Sequence, residues 1–216
     1  DRINNNKLLG IYKFNDLDLS KQDQSKLLNK LNKLIKKNEL LIISDFGHGF
    51  LTEEIIKKIS KEKIYKSVNA QINSSNMKYH TLDKYKNIDC LIVNESELRH
   101  EMRDKENVLK KLMIKLAKRN NIKILIITQG SVGATLYDLK KNKFNNCPAF
   151  ASNVVDIVGA GDAMLAIISL CIKNKIDNDV ALFLGSLAAS QSVESIGNSH
   201  YVNKYNLLKT IKYSAI

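Results

Sequence analysis

Ile122-Lys-Ile-Leu-Ile-Ile-Thr-Gln-Gly130 is an almost unbroken aliphatic, strongly β-prone run that stops at a hydroxyl and a glycine turn. A short apolar run closed by a turn signal marks a strand buried on both faces. Just upstream, Leu109, Leu112, Met113 and Leu116 recur at the spacing of a helix with one apolar face. The same order of apolar run, polar loop and helix recurs along the chain. Residues 40–43 end at Ser44-Asp45 and the turn Gly47-His48-Gly49, after which Thr52 is placed to cap a short helix through Ile59. Residues 90–93 lead into a helical segment over 94–101, and a helix over 21–37 carries Leu27, Leu28, Leu31, Leu34 and Ile35 behind a cap at Ser20. Buried strands alternating with helices predict an α/β fold, a three-layer doubly wound and mostly parallel sheet.

From residue 133 the pattern changes to alternation, which predicts a hairpin of 133–139 with 143–150 at a sheet edge. Helices are expected near 160–173, 178–192 and 203–211. With one proline, Pro148, and no low-complexity tract, residues 1–216 read as a single domain.

The chain carries 34 Lys plus Arg against 22 Asp plus Glu, a net charge of +12, and this sign favours anionic partners. Much of the excess falls on amphipathic segments, as at Lys21, Lys26, Lys30, Lys33, Lys36 and Lys37, and over 57–66, which reads as solvated helix surface. No basic run is interleaved with aromatics and no paired-cysteine finger is present, so specific nucleic-acid binding is not expected. Cys90, Cys147 and Cys171 stand apart, without zinc spacing or a disulfide framework, and read as small core residues in a reducing compartment. The longest apolar run, 163–172, is too short to cross a bilayer. A cytoplasmic protein without membrane insertion is the expectation.

The chemistry concentrates in Asp156-Ile-Val-Gly-Ala-Gly-Asp162, which runs directly into that apolar segment. Gly159 and Gly161 allow backbone N–H groups to converge, and the helix behind them offers its own N–H groups and positive dipole end to an anion. A carboxylate there is either a proton acceptor or an acidic cap. Asp45, Asn94 and Thr128 fall at the ends of three strands, where ligands sit in open α/β sheets.

In this order the motifs resemble the ribokinase-like sugar kinases, the PfkB family, and within it the heptose-phosphate kinase domains of lipopolysaccharide biosynthesis. Ser44-Asp-Phe-Gly-His-Gly49, Asn94-Glu-Ser-Glu97, Thr128-Gln-Gly-Ser-Val-Gly133 and residues 156–162 carry the resemblance, which covers nearly the whole chain. It implies transfer of the ATP γ-phosphoryl group to a hydroxyl of a sugar or sugar phosphate. Asp162 is then the base, and the amides of Gly159, Ala160 and Gly161 hold the charge on the transferring group. Asn94 and Glu97 organise Mg²⁺ and the phosphates, although their spacing equally fits a capping box. Thr128, Gly130 and Gly133 hold the nucleotide, with a turn glycine as the plainer explanation of Gly130 and Gly133. Ser186 replaces an asparagine that touches adenine in relatives, and Asp156 matches a position that helps to place a monovalent cation in some of them.

On the acceptor side the resemblance points to Asp45 and His48, where relatives tend to have a lysine in place of the histidine. It also points to Asn69 and Gln71, with Asn73, where an aspartate and a basic residue are usual. His80, His100 and His200 read as surface or packing residues. The family begins with a further third of its fold, including strands and a lid sheet, so the chain reads as incomplete at its N-terminus, residues 1–15 returning from that lid. A homodimer through the lid and a fused or partner nucleotidyltransferase are assemblies found among such relatives. A nonenzymatic nucleotide-binding or interaction domain of the same fold is the competing expectation, and an intact Asp162 weighs against it. A nicotinamide-dependent oxidoreductase is disfavoured because no early G-x-G-x-x-G follows the first strand.

Overall fold

The computed structural model describes residues 18–72, 76–77, 80–151, 153–194 and 201–214. Six strands form one sheet in the order β1-β2-β3-β4-β5-β6. β1 (Leu40–Asp45), β2 (Tyr65–Ala70), β3 (Cys90–Asn94) and β4 (Ile124–Thr128) are parallel. β5 (Ala134–Asp138) and β6 (Lys143–Cys147) return antiparallel along one edge, as the alternation over 133–150 predicts.

Alternation of side chains along each strand divides the core in two. Val68, Leu91, Val93, Leu125 and Ile127 pack with α1 (Lys21–Ile35), α2 (Glu53–Ile59), α3 (Glu95–Met102) and α4 (Leu109–Asn120). Cys90, Ile92, Ile124 and Ile126 pack on the other face with Met164, Leu165 and Ile168 of α5 (Ala160–Lys173) and Leu182 of α6 (Asn178–Val193). Helices therefore cover both faces, the three layers expected from the sequence. A last helix, α7 (Lys204–Ser214), packs on α6. Local signals set the helix starts: Ser20 Oγ accepts from the Asp23 amide at 3.2 Å, and Thr52 Oγ1 from the Ile55 amide at 3.4 Å.

One expectation fails at residues 57–66. They are not a continuous solvated helix surface, because α2 ends at Ile59 and Lys66 lies inside β2. Lys66 is only 5% exposed, and its Nζ donates to the carbonyls of Glu62 at 2.6 Å and Ile64 at 3.2 Å. β2 sits between β1 and β3, so its lysine must satisfy its donors locally. Cys90 and Cys147 are buried free thiols, whereas Cys171 is half-buried on α5 rather than in the core. Burial pushes the Cys90 thiol up to about 12, which keeps it protonated and unreactive. Among the described residues no helix is long and apolar enough to cross a membrane.

Candidate active site

The carboxyl ends of the parallel strands meet the start of α5. In register, Ser44 of β1 lies beside Asn69 of β2, and Asn94 of β3 beside Thr128 of β4. By alternation all four side chains belong to the face that carries α5. Ser44 Oγ donates to Asp162 Oδ1 at 2.8 Å, and a Cβ on Gly161 would lie 3.6 Å from Asn69 Nδ2. Asn69 Nδ2 itself donates to the Ile92 carbonyl at 3.0 Å. Asp162, Gly161, Ser44 and Asn69 thus converge, although 118 residues separate Ser44 from Asp162 in the chain.

The turn before α5 is built for approach by an anion. Gly159 occupies the N-cap at φ +90°, and no side chain caps the helix. The Ala163 amide makes the first intrahelical bond, to Gly159 O at 2.9 Å, so the amides of Ala160, Gly161 and Asp162 precede the helical ladder. Asp156 Oδ1 accepts from the Val158 amide at 3.0 Å. The amides of Val155 and Asp156 both donate to Val193 O, at 2.8 and 3.1 Å, tying this loop to the end of α6. Asp162 is exposed in the first turn of α5.

The Asn94 and Glu97 pair forms a complete capping box. Asn94 Oδ1 accepts from the Glu97 amide at 2.8 Å, and Glu97 Oε2 from the Asn94 amide at 2.7 Å. Glu97 Oε1 accepts from the Ile72 amide at 3.0 Å, so the same carboxylate clips the chain after β2 to the start of α3. Burial pushes its pKa above the usual range against the pull of those two amides, and the residue is 5% exposed. Each oxygen retains a lone pair for water. Among the described residues no group of three or more His, Cys, Asp or Glu converges on one point.

Thr128 is half-buried at the end of β4, and beyond it Gln129 bridges Glu95 Oε2 at 2.9 Å and Thr135 Oγ1 at 3.0 Å. Gly130, at φ +57°, has open space where a Cβ would point, whereas a Cβ on Gly133 would meet Cys147 O at 2.1 Å. Ser186 lies 6% exposed in α6, beside the Cys147 thiol.

The acceptor-side residues separate. Asp45, one residue after Ser44, points to the opposite face of the sheet, into the core with α1–α4, and is 4% exposed. Its Oδ1 accepts from the Gly47 amide at 2.9 Å, and its Oδ2 takes Lys84 Nζ at 2.7 Å and the Tyr85 hydroxyl. Burial raises this carboxyl, but the Lys84 charge and these hydrogen bonds outweigh burial and hold it below the usual range. His48 is half-buried in the turn beyond. Gln71 is exposed, its amide bonded to Asp45 O at 2.9 Å and its carbonyl to Asn76 Nδ2 at 2.7 Å. Asn73 and His200 lie outside the described residues. Asn76, Lys84 and Tyr85 carry no sequence signal of their own, and Ser44 opens the 44–49 motif without a role assigned to it there. The parity of β1 offers a partial one: with Ile43 facing the core, Ser44 must face α5.

His80 is a packing residue, 7% exposed beneath the 46–49 turn. Burial, aided by the charge of Lys84 and, more weakly, His48, pushes its imidazole from about 6.5 down to about 4, against the pull of Asp45 and Glu101. The unfolded chain therefore takes up a proton between about 6.5 and 4 that the fold refuses, and stability falls as pH drops through that window. Urea unfolding at pH 4.5 and 6.5 should give a steeper loss for the wild type than for His80→Gln, with the difference below about 1.4 kcal/mol per pH unit. Equal slopes would place His80 in water. Asp45 and Glu97 titrate in both proteins and cancel in the comparison.

The model of the pfkB family carbohydrate kinases matches residues 6–204. Bifunctional protein HldE of Campylobacter curvus is 29% identical over 179 residues, covering 82% of this chain and 37% of that protein. Bifunctional protein HldE of Campylobacter concisus is 31% identical over 163 residues, 74% of this chain and 33% of that protein. The chain thus spans about a third of the length of these relatives. Among solved structures, Arabidopsis thaliana ribokinase complexed with ribose and ATP superposes with a TM-score of 0.69 at 19% identity, over 92% of this chain and 61% of that one. Escherichia coli phosphofructokinase-2 in complex with potassium gives 0.72 at 17%, over 92% and 64%. The structural likeness establishes a ribokinase-like fold, and with the family match over residues 6–204 the chain belongs to the pfkB family of carbohydrate kinases.

Proposed function

We propose that this chain is the phosphoryl-transfer end of an ATP-dependent kinase acting on a hydroxyl of a sugar phosphate, of the heptose phosphate class. The observation that carries the reading is Asp162 in the first turn of α5, held by Ser44 Oγ at 2.8 Å beside the leading amides of the helix. A base needs hydrogen-bond reach to the proton it removes. With Oδ1 engaged by Ser44, Oδ2 is left to accept the proton of the acceptor hydroxyl as its oxygen attacks the γ-phosphorus. The amides of Gly159, Ala160 and Gly161 would hold charge that builds on the phosphoryl oxygens, and Gly161 lets the group come close to the backbone. Catalysis in this reaction class is chiefly positioning and electrostatics, which suits a backbone cradle.

Thr128, Gly130, Gly133 and Ser186 belong in this reading to the nucleotide side, and Asn69 and Gln71 to the acceptor side with the 46–49 turn that holds His48. Magnesium bound with the nucleotide supplies neutralising charge on the phosphates; Asn94 and Glu97 would hold it through water, a donor set suited to an ion that keeps several waters. Asp156 takes the place of the residue that positions a monovalent cation. Residues 1–216 belong to one kinase domain in this proposal. The relatives are bifunctional and much longer than the matched stretch, which supports a second activity beside the kinase, in this reading a fused or partner nucleotidyltransferase, and the proposed setting is cytoplasmic.

The test is ADP release by the full-length protein with ATP and magnesium over a panel of heptose phosphates, hexose phosphates and nucleosides. A heptose phosphate should exceed the others by about tenfold or more in kcat/KM, a difference of about 1.4 kcal/mol in transition-state binding. Preference for another acceptor overturns the substrate class. No turnover with any of them, and no stabilisation by ATP, would leave only a nonenzymatic domain of the same fold.

A further inference from the structure

The turn after β1 is held from below by a buried polar network. Asp45 Oδ1 fixes the Gly47 amide at 2.9 Å. Lys84 Nζ reaches Asp45 Oδ2 at 2.7 Å and the Leu51 carbonyl at 2.9 Å, and the Tyr85 hydroxyl donates to the same Asp45 oxygen. Asn76 Nδ2 donates to the carbonyls of Phe46 at 2.8 Å and Gln71 at 2.7 Å, joining this turn to the chain after β2. Gly47, at φ +71°, approaches so closely that a Cβ would lie 2.5 Å from Asn76 Nδ2. Residues 46–51 thus have one end tied directly to Lys84 through the Leu51 carbonyl and the other held by Asn76 and by Asp45, itself paired with Lys84 and Tyr85, while Phe46 lies two places from Ser44, which holds Asp162.

We infer that Lys84 and Tyr85, acting through Asp45, are positioning residues that fix the 46–51 turn against the Asp162 site and so set its affinity for the acceptor. The inference rests on the kinase reading of that site. Asp45 on this account does not touch the acceptor: its carboxylate is spent on the ion pair and the Gly47 amide. The lysine serves as a tie between two chain segments, and the tyrosine satisfies the carboxylate's remaining demand in a place where an unpaired charge is costly. A turn held at both ends has little freedom to lose when an acceptor binds, and loosening it weakens ground-state binding of the acceptor ahead of nucleotide binding.

The test uses the full-length protein with four changes: Lys84→Met, the paired Asp45→Asn with Lys84→Met, Tyr85→Phe, and Lys84→Arg. Amide exchange over residues 46–51 should rise by about tenfold in the paired variant, with exchange in α5 unchanged. KM for the acceptor sugar phosphate should rise by about fivefold or more, with KM for ATP within about twofold. Lys84→Arg should restore both, since a guanidinium can keep the pair and the Leu51 carbonyl. Lys84→Met alone should lose the most stability, because it leaves Asp45 buried and unpaired. Tyr85→Phe keeps the ion pair and should move exchange and KM in the same direction by less, so it carries the test if the paired variant does not fold. Unchanged exchange in folded variants overturns the tie. Raised exchange with both KM values unmoved, or moved equally, overturns the link to the acceptor. Absence of phosphoryl transfer in the wild type would overturn the kinase reading instead, and the exchange data would still judge the tie.

Discussion

Asp162→Asn is expected to lower phosphoryl-transfer turnover by about 10²–10⁴-fold, the usual contribution of a positioned general base, while ATP affinity stays within about twofold. The substitution preserves the shape of the side chain and the oxygen that accepts from Ser44 Oγ, so the turn and the leading amides of α5 keep their places. What changes is the second position of the side chain. A carboxylate oxygen that can take a proton becomes an amide NH₂, which is a donor and cannot. The acceptor hydroxyl then faces a donor where it needs an acceptor, and its proton must leave to water. ADP release measures the first quantity and titration calorimetry with ATP the second. Turnover within tenfold of the parent in the folded variant would remove Asp162 from the base role. Equal losses of turnover and ATP affinity would make it an acidic cap that shapes the anion site.

The fold and the transfer end of the site were legible in the chain for different physical reasons. Runs such as 124–127 and 90–93 are buried on both faces, and continuous hydrophobicity is the direct trace of that environment. The turn over 156–162 was legible because glycine marks the conformation as well as the chemistry: Gly159 adopts φ +90° at the helix start. β2 escaped because a buried strand is built there from polar residues: Lys66 Nζ is satisfied by the nearby carbonyls of Glu62 and Ile64, while the Lys66 amide on Asp89 Oδ2 at 2.8 Å and Asn69 Nδ2 on the Ile92 carbonyl at 3.0 Å use partners distant in sequence. Composition alone reads such a stretch as solvated surface. The Asn94 and Glu97 spacing suggested both a cap and a metal pair, and the structure forms the cap while leaving lone pairs for the other use. Asp45 drew attention as a strand-end carboxylate, yet the period of the strand turns it away from Asp162 and gives that place to Ser44. Lys84 and Tyr85 could not be read at all, since their meaning lies in a contact with a residue about 40 positions earlier.

Gly133→Ala should destabilise the fold by about 3 kcal/mol or more, which for a chain of this size lowers Tm by roughly 10 °C. Gly133 sits at φ +115° and ψ −133°, a region that side-chain-bearing residues rarely enter. Even if the backbone accepted that strain, the new Cβ would lie 2.1 Å from Cys147 O, 2.7 Å from Pro148 C and 2.8 Å from Ala149 N. All three are backbone atoms, so no rotamer change relieves the overlap, and the end of β6 must move. Ala134, the next residue, pairs with Cys147 in the hairpin, so the displacement strikes the first rung of the antiparallel edge. Gly130→Ala is the matching control. At φ +57° with open space around the new Cβ, it should cost about 1 kcal/mol from the left-handed conformation alone. The contrast separates two reasons for a glycine in Thr128-Gln-Gly-Ser-Val-Gly133. A glycine retained only to admit a nucleotide would, when replaced, weaken ATP binding and leave the melting temperature alone. A glycine retained for the hairpin would lower the melting temperature even without nucleotide, and the overlap with the 147–149 backbone assigns Gly133 to the second kind. A Gly133→Ala protein that melts within about 2 °C of the parent would refute that assignment.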